Sequence, residues 1–129
     1  MSSFEKVKSF LLELEYTIVD EIESEGIVII ENENAGISRL ICDCEDPILI
    51  IECPLFQINN PSVELLTELL AKNRDIVHGA FALTETNLLI YRDTLQLENL
   101  DLNELEGTLD SFELLLAEYA SRLIEISKI

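Results

Sequence analysis

Residues 37–56 read ISRLICDCEDPILIIECPLF, and the fold turns on how this stretch pairs with itself. Two runs rich in β-branched aliphatics flank Glu45-Asp46-Pro47, a break whose proline cannot donate to a strand ladder. The stretch therefore predicts an antiparallel hairpin with strands Ile37 to Cys44 and Ile48 to Phe56. A tight turn at Glu45-Asp46 sets Cys44 opposite Pro47, Cys42 opposite Leu49, Leu40 opposite Ile51 and Ser38 opposite Cys53. Side chains alternate between faces along a strand. One face then carries Leu40, Cys42, Cys44, Leu49, Ile51, Cys53 and Leu55. The other carries Ile41, Ile48 and Ile50 with Arg39, Asp43 and Glu52, and makes Arg39 and Glu52 a cross-strand ion pair.

The β-branched signal extends upstream to Tyr16, which adds strands Thr17 to Glu23 and Ile27 to Glu31, with turns at Ser24-Glu25-Gly26 and Asn32 to Gly36. Before them, Ser2 and Glu5 form a capping box, and Phe4, Val7, Phe10, Leu11 and Leu14 mark one face of a helix ending near Glu15. Downstream, Asn60-Pro61 reads as an N-cap followed by proline at the first helical position, with a buried stripe of Val63, Leu66, Leu69 and Leu70 up to about Lys72. A second hairpin, Val77 to Thr84 and Leu88 to Asp93, turns near Glu85-Thr86-Asn87. Asp101 and Glu104 cap a last helix running to about Lys128, striped by Leu102, Leu105, Leu109, Phe112, Leu116, Tyr119, Leu123 and Ile126. Such a helix is longer than a small sheet needs for cover, so it either overhangs the sheet or meets a partner. The order is α-β-β-β-β-α-β-β-α, an α+β class in which helices pack on an antiparallel sheet, and 129 residues suit one domain.

Composition narrows the function. Acidic residues number 26 against 8 basic ones, a net charge of −18. Phosphate binding needs clustered Lys and Arg, so neither nucleic acid nor an anionic membrane is an expected partner. The acidity serves solubility, or it selects partners that are basic or are met through apolar patches ringed by charge. A hydrophobic fraction of 48% is enough to build a core. No apolar run reaches the roughly 18 residues of a membrane span, and Met1-Ser2-Ser3-Phe4-Glu5 shows neither a basic leader nor an apolar signal core, so the expected location is the cytoplasm.

Few residues offer chemistry. Cys42, Cys44 and Cys53 fall among core aliphatics, and the register above separates Cys53 from the other two by about 13 Å along the ladder. They read as buried thiols behaving as small hydrophobes. The alternative is a thiol-based redox or metal-responsive regulator using Cys42 and Cys44, neighbours on one strand face. His78, the one histidine, is set opposite Asp93 if the second hairpin turns at Glu85-Thr86. The four glycines are isolated, so no phosphate-cradling motif is present, and the carboxylate pairs follow from the acidity alone. The chain is expected to be no enzyme and to need no metal or cofactor.

The aliphatics on two sheet faces are the more informative feature. The same second-hairpin register leaves Ala80, Ala82, Leu89 and Tyr91 outward when Phe81, Leu83, Leu88 and Ile90 face in. Either a helix of the chain covers this second face, or Ile41, Ile48, Ile50, Leu89 and Tyr91 form a contact surface for a client or a second copy.

The element order resembles the YbjN and type III secretion chaperone-like superfamily. Leu69-Leu70-Ala71-Lys72-Asn73 looks like that group's helix ending in asparagine, and Gly79-Ala80-Phe81-Ala82-Leu83 like its following strand. Leu95-Gln96-Leu97 and the capped helix from Leu102 to Ala120 match its closing strand, loop and helix. The resemblance implies an acidic α+β homodimer whose secretion members hold client segments in extended form on apolar patches. The expected function is thus a non-enzymatic, chaperone-like or adaptor module that binds another polypeptide.

Overall fold

In the computed structural model, residues 1–33 and 37–129 are described, with the side chains of Ile37 and Ser38 left aside. The predicted turn from Asn32 to Gly36 lies partly outside the described residues. The elements are α1 (Ser3–Glu13), β1 (Thr17–Ile22), β2 (Ile27–Asn32), β3 (Ile37–Glu45), β4 (Ile48–Gln57), α2 (Val63–Asp75), β5 (Ala80–Leu83), β6 (Leu88–Gln96) and α3 (Leu102–Ser127), and a 3-10 turn at Glu23–Glu25 joins β1 to β2. The strands form one antiparallel sheet in the order β1-β2-β3-β4-β6-β5. This is the α+β architecture expected, with every element in its predicted order.

Both terminal helices begin at their predicted caps. The Ser2 hydroxyl accepts from Glu5 N–H at 3.1 Å and the Asp101 carboxylate from Glu104 N–H at 2.8 Å. The second helix starts later than Asn60-Pro61 predicts, because the Ser62 hydroxyl accepts from Leu65 N–H at 3.1 Å and takes the cap. Its orientation differs as well. Leu65 and Leu69 are buried, whereas Val63 and Leu70 are 82% and 70% exposed.

The β3–β4 register is displaced by two residues from the expectation. Asp46-Pro47 makes the turn, with a cis bond between them, so Glu45 pairs with Ile48, Cys44 with Leu49, Cys42 with Ile51 and Ile41 with Glu52. A slip of two preserves which face each side chain takes. Leu40, Cys42, Leu49, Ile51 and Cys53 are indeed buried on one side. The predicted Arg39–Glu52 ion pair is lost, since Glu52 now stands between Ile41 and Arg92. Cys53 is also nearer to Cys42 than expected, two positions beyond its partner Ile51.

The second hairpin is displaced by one residue, and that reverses the faces of β6 while β5 keeps Phe81 and Leu83 inward and Ala80 and Ala82 outward. Asn87 takes a left-handed conformation (φ 66°), Asn87 N–H donates to Thr84 O at 3.0 Å, and Leu83 pairs with Leu89. A turn followed by a left-handed residue needs one more residue than the tight turn assumed. Phe81 therefore pairs with Tyr91, and Leu89 and Tyr91 lie inside rather than on the outer face, with Ile90 outside. Tyr91 packs edge-on against Phe81 and Phe112, with ring centroids 5.5 and 4.8 Å away, and its hydroxyl donates to His78 O. His78 lies before β5 rather than in it, and no His78–Asp93 ion pair forms.

All three helices bury their side chains in one cluster with the inner face of the sheet: Val7 and Leu11 from α1, Leu65 and Leu69 from α2, Leu105, Leu109 and Phe112 from α3. Lys8 holds α1 to β1 through Glu21 at 2.9 Å, and Arg122 holds α3 to α2 through both oxygens of Glu68 at 2.6 and 2.7 Å. The 26 residues of α3 span about 39 Å, and Leu123 and Ile126 in its last turns are still buried.

Candidate functional site

The sheet face turned away from the helices is built from alternate residues of the six strands. In one lateral row Ile22, Ile27, Asp43, Ile50 and Thr94 stand side by side. In the next are Asp20, Ile29, Ile41, Glu52, Arg92 and Ala80. Ile48 and Ile90 extend the surface toward its ends. Ile29, between Asp20 and Ile41, and Ile90, between Pro54 and Ala82, are each only 6% exposed, yet neither belongs to the cluster that includes the helices. Ile41, Ile48 and Ile50 are half-buried.

Three of the five expected contact residues, Ile41, Ile48 and Ile50, thus share this outer face, and Leu89 and Tyr91 do not. Sequence reasoning missed Ile27, Ile29 and Ile90. The first two could have been found by carrying the strand alternation of β3 across its ladder into β2, since Ile27 pairs with Asp43 and Ile29 with Ile41.

Asp43 is the unusual member of the face. Its Oδ1 is shut off from solvent and accepts no hydrogen bond. Burial, and then the carboxylates of Glu45, Glu52 and Glu25, raise its pKa above the ordinary aspartate range.

A second apolar surface lies along α2. Leu66, Leu69, Leu70, Phe81, Ala82, Leu83 and Leu89 line an open groove of about 220 Å³ beside the edge strand β5. Asn73 closes part of that edge: its side-chain amide donates to Phe81 O at 3.0 Å, and its side-chain carbonyl accepts from Phe81 N–H at 2.8 Å. These are the two backbone groups of Phe81 that face away from β6, so a side chain stands where a further strand would pair. The asparagine that closes the helix in the sequence resemblance has here a physical task that the sequence alone does not announce.

The surroundings of the three thiols disfavour the thiolate. Cys42 and Cys53 are buried and Cys44 is half-buried. Burial pushes Cys42 up to about 12 and Cys53 to about 11; burial followed by Asp43, Asp46 and Glu45 pushes Cys44 to about 11. A reactive or metal-binding thiol needs the opposite shift. Among the described residues no group of three or more His, Cys, Asp or Glu side chains is arranged to hold a metal ion. No helix among the described residues is long and apolar enough to cross a membrane.

Comparison with known proteins agrees with this fold. A search of curated proteins returns no match. Among solved structures, a chain of the ExsC–ExsE complex superposes with a TM-score of 0.69 at 20% identity, covering 95% of this chain and 96% of that one. YbjN from E. coli, described as a putative transcription regulator, gives 0.67 at 12% identity over 92% and 91%. A chain of the complex between the Yersinia pestis type III secretion chaperone SycH and a stable fragment of YscM2 gives 0.64 at 15% identity over 98% and 100%. At these identities the likeness shows a shared fold. The family model CesT_Tir_1 matches residues 1–129. The chain belongs to this family, within the YbjN and type III secretion chaperone-like superfamily.

Proposed function

We propose that the protein is a chaperone-like or adaptor module, acting in the cytoplasm as an acidic homodimer of single-domain subunits, that holds an extended segment of another polypeptide against the outer face of its sheet. The observation that carries this reading is that Ile27, Ile29, Ile41, Ile48, Ile50 and Ile90 share a face to which no helix contributes core side chains. A half-buried aliphatic sheet face without a helix packed on it binds partners by apolar contact. The rim of Asp20, Glu31, Glu45 and Glu52 keeps such a surface soluble, and an overall charge of −18 keeps copies of the complex apart. That charge also opposes nucleic acid as the partner.

The second copy docks along α2, where Val63 and Leu70 stand exposed beside the apolar groove next to β5. This leaves the outer face free for the client. Two variants separate the surfaces. Ile50→Asp should abolish co-purification of the client while the far-UV circular dichroism and the mass by sedimentation equilibrium stay unchanged. Leu70→Asp should halve the mass. If Ile50→Asp still holds the same client, the outer face is not the binding surface.

A further inference from the structure

We propose that the segment held on the outer face presents a lysine or arginine that seats over Asp43, between Ile27 and Ile50, with aliphatic residues on either side of it. This rests on the reading of that face given above and names the chemistry of its partner.

Asp43 occupies the middle of the aliphatic surface, flanked laterally by Ile27 and Ile50 and along its own strand by Ile41 and Glu45. Its Oδ1 has no solvent contact and no donor. A buried acceptor left without a donor destabilises the free chain, and a donor arriving from a partner relieves it. The carboxylates around it supply none when ionised, although a proton shared with Glu45 contributes to its raised pKa. Asp20, Glu31, Glu45 and Glu52 share the face with Asp43, against Arg39 and Arg92, and no salt bridge among the described residues involves either arginine.

A cationic side chain fits both halves of this environment. Its methylene stem lies along Ile27 and Ile50, and its charged head pairs with the Asp43 carboxylate group as a whole. A second copy of the chain does not fit. Two outer faces related by a two-fold axis would bring Asp43, Glu45 and Glu52 against the same acidic set.

The test uses dye-labelled, end-capped peptides of about ten residues, the length of a long strand. They alternate valine and threonine around a central lysine, or around glutamine in its place, and binding is read by fluorescence anisotropy at physiological ionic strength. The lysine peptide should bind about tenfold more tightly than the glutamine peptide, as a charge-assisted pair on a partly dry surface requires. Asp43→Asn, or Asp43→Ser if the first variant loses its cooperative unfolding, should erase most of that preference. Glu13→Gln removes one charge at the exposed end of α1 and should retain it. Ile50→Ser should weaken both peptides.

Equal binding of the two peptides, with both weakened by Ile50→Ser, would leave the face as a binding surface and overturn the basic partner. A lysine preference that survives in the Asp43 variants would trace to overall charge and overturn it too. Failure of both peptides to bind, or indifference of both to Ile50→Ser, would overturn this proposal together with the reading beneath it. A drop to monomer mass on Ile50→Ser would assign the face to a second copy instead.

Discussion

The two faces of the sheet are made from the same residue types and have opposite fates. Ile51 and Ile50 are neighbours on β4. The first is fully buried beneath the helices and the second half-buried on the open side. Leu40 and Ile41 repeat the contrast on β3. The inner face is buried by three helices, while no helix among the described residues adds core side chains to the outer face. What differs between them is therefore cover, not hydrophobicity. An aliphatic surface with that composition and no helix over it among the described residues is the physical basis for proposing a partner.

The sharpest way to break the comparison is to place the same charge on adjacent residues. Ile51→Asp should cost about 4 kcal/mol or more in urea unfolding, because it buries a carboxylate without a partner. Ile50→Asp should cost about 1 kcal/mol or less, since water reaches that side. Equal losses would mean that the outer face is as dry as the core. Gly79→Ala tests the inner face where β5 begins. Gly79 sits at φ 79°, and an added Cβ would come within 2.7 Å of the Tyr91 hydroxyl and 2.8 Å of the Arg92 carbonyl. A loss of roughly 2–3 kcal/mol is expected from the same urea titration.

Asn73→Ala should follow, at roughly 1–2 kcal/mol for two part-buried hydrogen bonds, with hydrogen exchange at the Phe81 amide accelerated beyond what the global loss explains.

The smallest effect is expected at Asp43. Its carboxyl titrates higher in the folded chain than in the unfolded one, so its ionised form opposes folding at neutral pH. That opposition is absent below the ordinary aspartate range and grows to its full size as pH rises through the raised value. Asp43→Asn should therefore raise the melting temperature by about 1–2 °C at pH 7, and the gain should vanish on acidification below the unfolded aspartate range. A gain independent of pH would remove the electrostatic explanation.

Much of the architecture was legible because its signals are local. The caps at Ser2 and Asp101 lie within three residues of the amides they satisfy, and the strands announce themselves by β-branched runs. Registers are less legible because they depend on the turn. Assuming Glu45-Asp46 rather than Asp46-Pro47 displaced the first hairpin by two residues, and the site residues Ile41, Ile48 and Ile50 kept their face. Assuming a two-residue turn where Asn87 adds a left-handed residue displaced the second by one, and Leu89 and Tyr91 were sent to the wrong side. An even error preserves the faces of a period-two element and an odd one exchanges them. The α2 stripe failed for another reason. Val63, Leu66, Leu69 and Leu70 make an acceptable helical stripe, but so does a stripe through Leu65 and Leu69, and only the neighbouring Phe81 and α3 decide which one turns inward.

The sequence by itself determined the order of elements, the charge of the surface, the helix starts at Ser2 and Asp101, and the presence of more strand aliphatics than one face can use. Which face the helices chose, where Asp43 came to rest among isoleucines, and how Asn73 closed the edge at Phe81 were decided only by the tertiary structure. Those three outcomes depend on groups that meet only once strands have paired and helices have packed, and spacing along the chain does not encode the angle at which they meet.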